Sequence, residues 1–147
     1  MSIQDCIFCR IIDGQIPAAK VFENQNVLAF LDIGPVSKGH TLVIHKQHTS
    51  SVARTDPQIL KDIAEVLPVL TSAVQKAMNA DGCNILCNNG AAAGQVVDHL
   101  HFHIIPRKIN DGVFNRWISF EYEDGIINEL KQKITTEIRR NISETTQ

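Results

Sequence analysis

The chain reads as an α+β protein with a largely antiparallel five-stranded sheet, a long central helix and a C-terminal helix. Three observations predict it. Strand-like runs joined by short turns come first, a long apolar stripe of helical period follows, and two further strands precede a second helical stripe. Residues 6–13 predict a short helix that Gly14 ends, with Pro17 blocking any continuation. Residues 19–23 and 27–33 predict a hairpin across the turn-prone Asn24-Gln25-Asn26. Gly34-Pro35 breaks the second strand, and residues 41–45 predict a third. Asp56 is an N-cap residue with Pro57 at the first helical position. From there Ile59, Ile63, Val66, Leu67, Leu70, Val74 and Met78 recur every three or four residues, with Pro68 inside the stripe expected to kink or split the helix. Asp81-Gly82 is expected to end it, and residues 83–88 predict a fourth strand. A fifth lies over residues 99–105. Ile126, Leu130, Ile134, Ile138 and Ile142 then predict a terminal helix whose end, residues 143–147, is polar and frayed.

Length and composition bound the reading. The 147 residues fit one domain, 1–147, with a core that needs no disulfide staples. A net charge of −2 with interspersed signs points away from nucleic acid and from a polybasic membrane surface. Residues 1–5 are polar and lack the positive start of a signal peptide, and no apolar run reaches the length of a membrane span. The expected location is the cytoplasm, where the four cysteines are reduced thiols or metal ligands.

Chemistry concentrates in His99-Leu100-His101-Phe102-His103. On a strand the three imidazoles share one face along roughly 13 Å, and Leu100, Phe102 and Ile104 share the other. A lone histidine on a strand is usually a hydrogen-bonded structural residue. Three in register beside a glycine-rich stretch point to a nucleophile, a proton donor or a metal ligand. The loop Gly90-Ala91-Ala92-Ala93-Gly94 just before them is either a surface turn or a place where main chain closely approaches an anion. Cys6 and Cys9 form a Cys-x-x-Cys pair that reads as redox or metal-binding. Asp32 is either a carboxylate for a ligand or a cap on the turn at Gly34-Pro35. Phe8, Ile11 and Ile16 read as core from composition alone, as do Cys83 and Cys87. His40 and His45 read as structural or surface residues.

These residues resemble a known family. His99-Leu100-His101-Phe102-His103-Ile104-Ile105 is similar to the signature of the histidine triad (HIT) proteins. Cys6-Ile7-Phe8-Cys9-Arg10, Ala29-Phe30-Leu31-Asp32-Ile33, Gly39-His40-Thr41-Leu42-Val43-Ile44 and Asn88-Asn89-Gly90 with Gly94-Gln95 resemble family segments in the right order. The likeness covers about residues 6–108 and is nearest in pattern to the Hint branch and the short bacterial zinc-bearing HIT proteins. Residues 109–147 resemble the family least.

The resemblance implies a HIT-like fold, a homodimer whose sheets join into one, and a nucleotide cleft on each protomer. Its expected activity is release of a nucleoside 5′-monophosphate, AMP above all, from a phosphoramidate or acyl-nucleotide conjugate. His101 would attack the α-phosphorus to form a nucleotidyl-histidine, which water hydrolyses, and His103 would donate to a phosphoryl oxygen or to the leaving group. Asn88, Gly94, Gln95 and Val96 would line the phosphate, Asp32 and Ile33 would hold the ribose, and Phe8, Ile11 and Ile16 would wall the base. Val96 departs from members with a hydroxyl residue there, which leaves leaving-group preference open. Cys6, Cys9, His48 and His99 would hold about one structural zinc in a closed tetrahedral site. No organic cofactor is expected. Trp117, the sole tryptophan, is given no contact. A diadenosine-polyphosphate hydrolase and a nucleotide-binding, zinc-stabilised interaction module with weak turnover are the alternatives.

Overall fold

The computed structural model describes residues 5–114 and 119–145, and Trp117 lies outside them. The chain divides into two compact units, 1–113 and 114–147. The first holds the sheet, in the order β1-β2-β3-β5-β4 with every pairing antiparallel. Its strands are β1 (Lys20–Glu23), β2 (Val27–Leu31), β3 (Thr41–His45), β4 (Gly82–Leu86) and β5 (His101–Arg107). β2 ends two residues short of the expected 33, where Asp32 N–H turns to the His40 carbonyl at 2.9 Å.

The sheet is covered on both faces, because alternate residues of the central strands are apolar in both directions. Val27, Ala29, Val43, Leu100 and Ile104 meet Ile59, Ile63, Val66 and Leu70 of α2 (Pro57–Ala77). Leu28, Phe30, Leu42 and Ile44 meet Phe8 and Ile11 of α1 (Ile7–Ile12) together with Cys6 and Cys9. In β5, His101 lies opposite Ile44 and His103 opposite Leu42, which puts both imidazoles on the α1 face. Leu100, Phe102 and Ile104 turn to α2. The strand starts at His101, not at residue 99, because Leu100 N–H bonds the Thr49 carbonyl at 2.6 Å.

Asp56 caps α2 by accepting the Gln58 N–H at 2.8 Å, with Pro57 in the first turn. The helix neither splits nor stops at Pro68. Pro68 and Ala64 both lie on its exposed side, so water can satisfy the carbonyl that the missing N–H leaves open. Its end comes at Ala77, before Asp81-Gly82, where Asn79 takes a left-handed φ of 47° and Ala80 N–H closes on the Gln75 carbonyl. Gly82 instead opens β4, one residue ahead of the expected 83, and that strand stops at Leu86.

In the second unit, α3 spans Ile126–Thr145 and bears the expected stripe, with Ile134, Ile138 and Ile142 exposed at its surface. Lys133 and Glu129 pair along it at 2.6 Å.

Burying each large aliphatic of α2 contributes about 1.5–3 kcal/mol. Ile63, 1% exposed, should cost about 2–5 kcal/mol when truncated in Ile63→Ala. Urea unfolding of the variant measures this, and a midpoint equal to the parent's would contradict the packing described.

Candidate functional site

Two groups of side chains meet on the α1 face. In the first, the ligand atoms of Cys6, Cys9, His48 and His99 all lie within 4.8 Å of one another. His99 Nδ1 sits 3.5 Å from Cys6 Sγ and 3.6 Å from Cys9 Sγ, and His48 Nδ1 sits 3.4 Å from Cys9 Sγ. Tetrahedral zinc, with bonds of about 2.3 Å to sulfur and 2.0–2.1 Å to nitrogen, puts sulfur and nitrogen roughly 3.6 Å apart. The protonation pattern agrees. His99 Nε2–H donates to the His45 carbonyl at 2.9 Å, which leaves Nδ1 as a bare lone pair facing the thiols. Burial first, and then Cys6 beside it, push the Cys9 thiol up to about 11. A bound divalent cation reverses that preference by stabilising the thiolate. The donor set therefore fits zinc.

The second group opens into a cleft of about 460 Å³. Phe8, Ile11, Ile16, Phe30 and Leu42 form its apolar wall, and Asp32, Ile33, Gly94, Val96, His101 and His103 line the remainder. Phe8 is edge-on to the His101 ring at 5.3 Å and to the His99 ring at 5.8 Å, bridging the two groups.

A backbone contact sets the tautomer of His101. His101 Nδ1 lies 2.6 Å from the His99 carbonyl, which can only accept, so Nδ1 carries the proton and Nε2 is a free lone pair. His40 Nδ1 lies 3.4 Å from Val36 N–H and 3.5 Å from Asp32 Oδ2, and its Nε2 shares a hydrogen bond of 2.9 Å with His103 Nδ1. His103 Nε2 is a buried atom with no partner among the described residues. The His101 and His103 rings stand side by side, 4.8 Å apart.

Burial pushes His103 down to about 4, reinforced by the neighbouring His101 and His40. Burial also lowers His40, against the pull of Asp32 3.5 Å away. Both are neutral near pH 7.

The remaining expected residues divide. Asp32 does cap the turn, its Oδ1 accepting Gly34 N–H at 2.8 Å, yet Oδ2 stays turned to the cleft side with His40. Ile33 and Val96 stand 98% and 88% exposed at the mouth. Asn88 and Gln95 do not line the cleft. Gln95 instead ties the loop together, accepting from Gly90 N–H at 2.7 Å and donating to Ser50 and Val97 carbonyls. Asn88 Nδ2 reaches the Gly94 carbonyl at 3.5 Å, and Gly94 holds a φ of 84° that favours glycine. His45 has a structural role, its Nε2 3.2 Å from Asp62. Cys83 and Cys87 border the α2-side core. His40 is the residue that sequence reading placed outside the site. Its signal was positional, since it directly precedes the strand that pairs with β5.

A model of the HIT domain matches residues 13–110. The chain belongs to the HIT domain family. An adenosine 5′-monophosphoramidase of Schizosaccharomyces pombe is 42% identical over 135 residues, 91% of this chain and 98% of that protein. An adenylylsulfatase of Arabidopsis thaliana is 45% identical over 107 residues, 73% of this chain but only 54% of the plant protein. A solved Streptococcus mutans structure aligns with a TM-score of 0.88 at 41% identity, over 93% of this chain and 87% of that one. A zinc-bound histidine triad family protein of Mycobacterium smegmatis aligns with a TM-score of 0.72 at 38% identity, over 84% and 86%. This HIT domain thus shares its sheet and helices with relatives of known structure.

The depressed His103 gives a pH dependence of stability. The folded chain holds His103 neutral down to about 4, whereas the unfolded chain takes up its proton near 6.5. Acidification through that interval therefore favours unfolding. Thermal melts are expected to show a level Tm above about pH 6.5 and a decline below it, with a smaller decline in His103→Gln. A Tm that rises on acidification would contradict the assignment.

Proposed function

We propose that this HIT domain is a nucleotide hydrolase that releases a nucleoside 5′-monophosphate, AMP above all, from a phosphoramidate or acyl-nucleotide conjugate. The bare Nε2 of His101 inside the cleft, with Nδ1 held by the His99 carbonyl, is the observation that carries this reading. Nε2 attacks the α-phosphorus, the bond from phosphorus to the leaving nitrogen or oxygen breaks, and the leaving group departs, an amine taking a proton from solvent. Water then bonds to phosphorus, the Nε2–P bond breaks, and a proton returns to solvent.

Each neighbour has a part in this scheme. His103 Nε2–H donates to a phosphoryl oxygen as charge builds there. The Gly94 turn brings main chain close to the same oxygens. Asp32 Oδ2 accepts from the ribose hydroxyls with Ile33 beside the sugar, and Phe8, Ile11 and Ile16 flank the base. Val96 presents only an apolar side chain where the leaving group exits. Four thiol and imidazole donors around zinc leave no open position for substrate, so the cation's part is structural. The monophosphoramidase activity of the fission-yeast relative supports the substrate class.

The assembly proposed with it is a homodimer whose two sheets join edge to edge through one of the outer strands, β1 or β4.

Turnover of an adenosine phosphoramidate by the parent and by His101→Ala tests the reading. The variant should lose on the order of 10³-fold or more in kcat while keeping a similar Kd for AMP. Equal rates in the two proteins would remove His101 as nucleophile, and AMP affinity without turnover in the parent would make the domain a binding module.

A further inference from the structure

We propose that Cys6, Cys9 and His48 position the nucleophile: by holding the His99 ring they hold the His99 carbonyl, and with it the tautomer of His101. The inference rests on His101 being the attacking group.

His99 is completely buried and touches both sites through different atoms. Its ring faces the Cys6 and Cys9 sulfurs through Nδ1 and the His45 carbonyl through Nε2–H. Its carbonyl takes the His101 Nδ1–H. Sheet pairing does not fix that carbonyl, because β5 begins two residues later and Leu100 N–H is bonded to Thr49, next to the ligand His48. The peptide unit is therefore held at two points, by the bond from its own N–H to Thr49, which adjoins the ligand His48, and by what grips the His99 ring. Phe8, between the two cysteines, lies edge-on to both imidazoles and ties the ligand helix to the nucleophile.

Loosening the ring has a defined chemical consequence. Without a fixed acceptor, the His101 proton divides between Nδ1 and Nε2, and only the Nδ1–H form presents a lone pair to phosphorus. Phe30 and Leu42 reach the cleft from β2 and β3 and Asp32 from the turn after β2, positions that the sheet fixes, whereas Phe8 and Ile11 of the wall share α1 with the ligand Cys9. The chemical step should suffer more than nucleotide binding.

The test compares the metal-loaded parent, Cys9→Ser and the rescue variant Cys9→His, which supplies an imidazole nitrogen in place of the lost sulfur ligand. Zinc content, kcat, KM and the long-range proton–nitrogen NMR correlations of the His101 ring are read on each. The parent should show one tautomer, protonated on Nδ1. Cys9→Ser should show averaged tautomers and a kcat lower by on the order of tenfold, with KM changed by a smaller factor, and Cys9→His should recover both the tautomer and kcat. Cys83→Ser, altered outside either site, should match the parent. A folded Cys9→Ser protein that keeps the parental tautomer and kcat would overturn the inference. If Cys9→Ser does not fold, His48→Asn carries the same comparison with the same outcomes. A parent that turns over no faster than His101→Ala would instead overturn the nucleophile reading, and the NMR readout still decides whether the cluster sets the tautomer.

Discussion

One hydrogen bond organises this site: His101 Nδ1–H to the carbonyl of His99, 2.6 Å long and buried. An imidazole has two nitrogens of nearly equal basicity, and a nucleophile needs one of them bare and aimed. A backbone carbonyl cannot exchange roles with a donor, so it settles the matter without a charge. His103 is held differently, its Nδ1 sharing a hydrogen bond with His40 Nε2 while Val36 N–H and Asp32 flank the other His40 nitrogen. Two chemically identical rings thereby meet different partners on one face.

The sheet makes that arrangement affordable. A strand offers one face to the core and the other to chemistry, and β5 uses Phe102 and Ile104, with Leu100 just before it, to bind α2 while its imidazoles face α1. Neighbouring β3 supplies Leu42 and Ile44 beneath the rings, so the histidines stand on a rigid floor. Burial there keeps His103 neutral, and neutrality preserves the hydrogen-bond pattern that a second proton would break. Stability and protonation are the same constraint seen from two sides.

Much of this was legible in the residues. The alternation of His99 to Ile104 foretold which side chains meet α2, and Asp56-Pro57 foretold where that helix starts. Elements were misplaced where a local rule met a tertiary contact. Pro68 passes unbroken because its face of α2 is wet, Asn79 ends the helix by taking a left-handed turn, and β5 starts late because Leu100 pairs with Thr49. Within the site, the Cys6, Cys9, His48 and His99 grouping was readable only through family resemblance, since its members lie up to 93 residues apart. His40 escaped because one imidazole ahead of a strand carries no periodic signal; only the pairing of β3 with β5 brings it to His103. Gln95 was expected near phosphate through its backbone, and its side chain spans the loop that presents it.

The most direct measurement is capture of the covalent species. Rapid alkaline quench during turnover of an adenosine phosphoramidate, followed by peptide mass spectrometry and nitrogen–phosphorus coupling in the labelled protein, locates any adenylyl group. Attachment at Nε2 of His101 is the predicted result. Full turnover with no adduct, or with one on another residue or on Nδ1, would contradict the account at its centre.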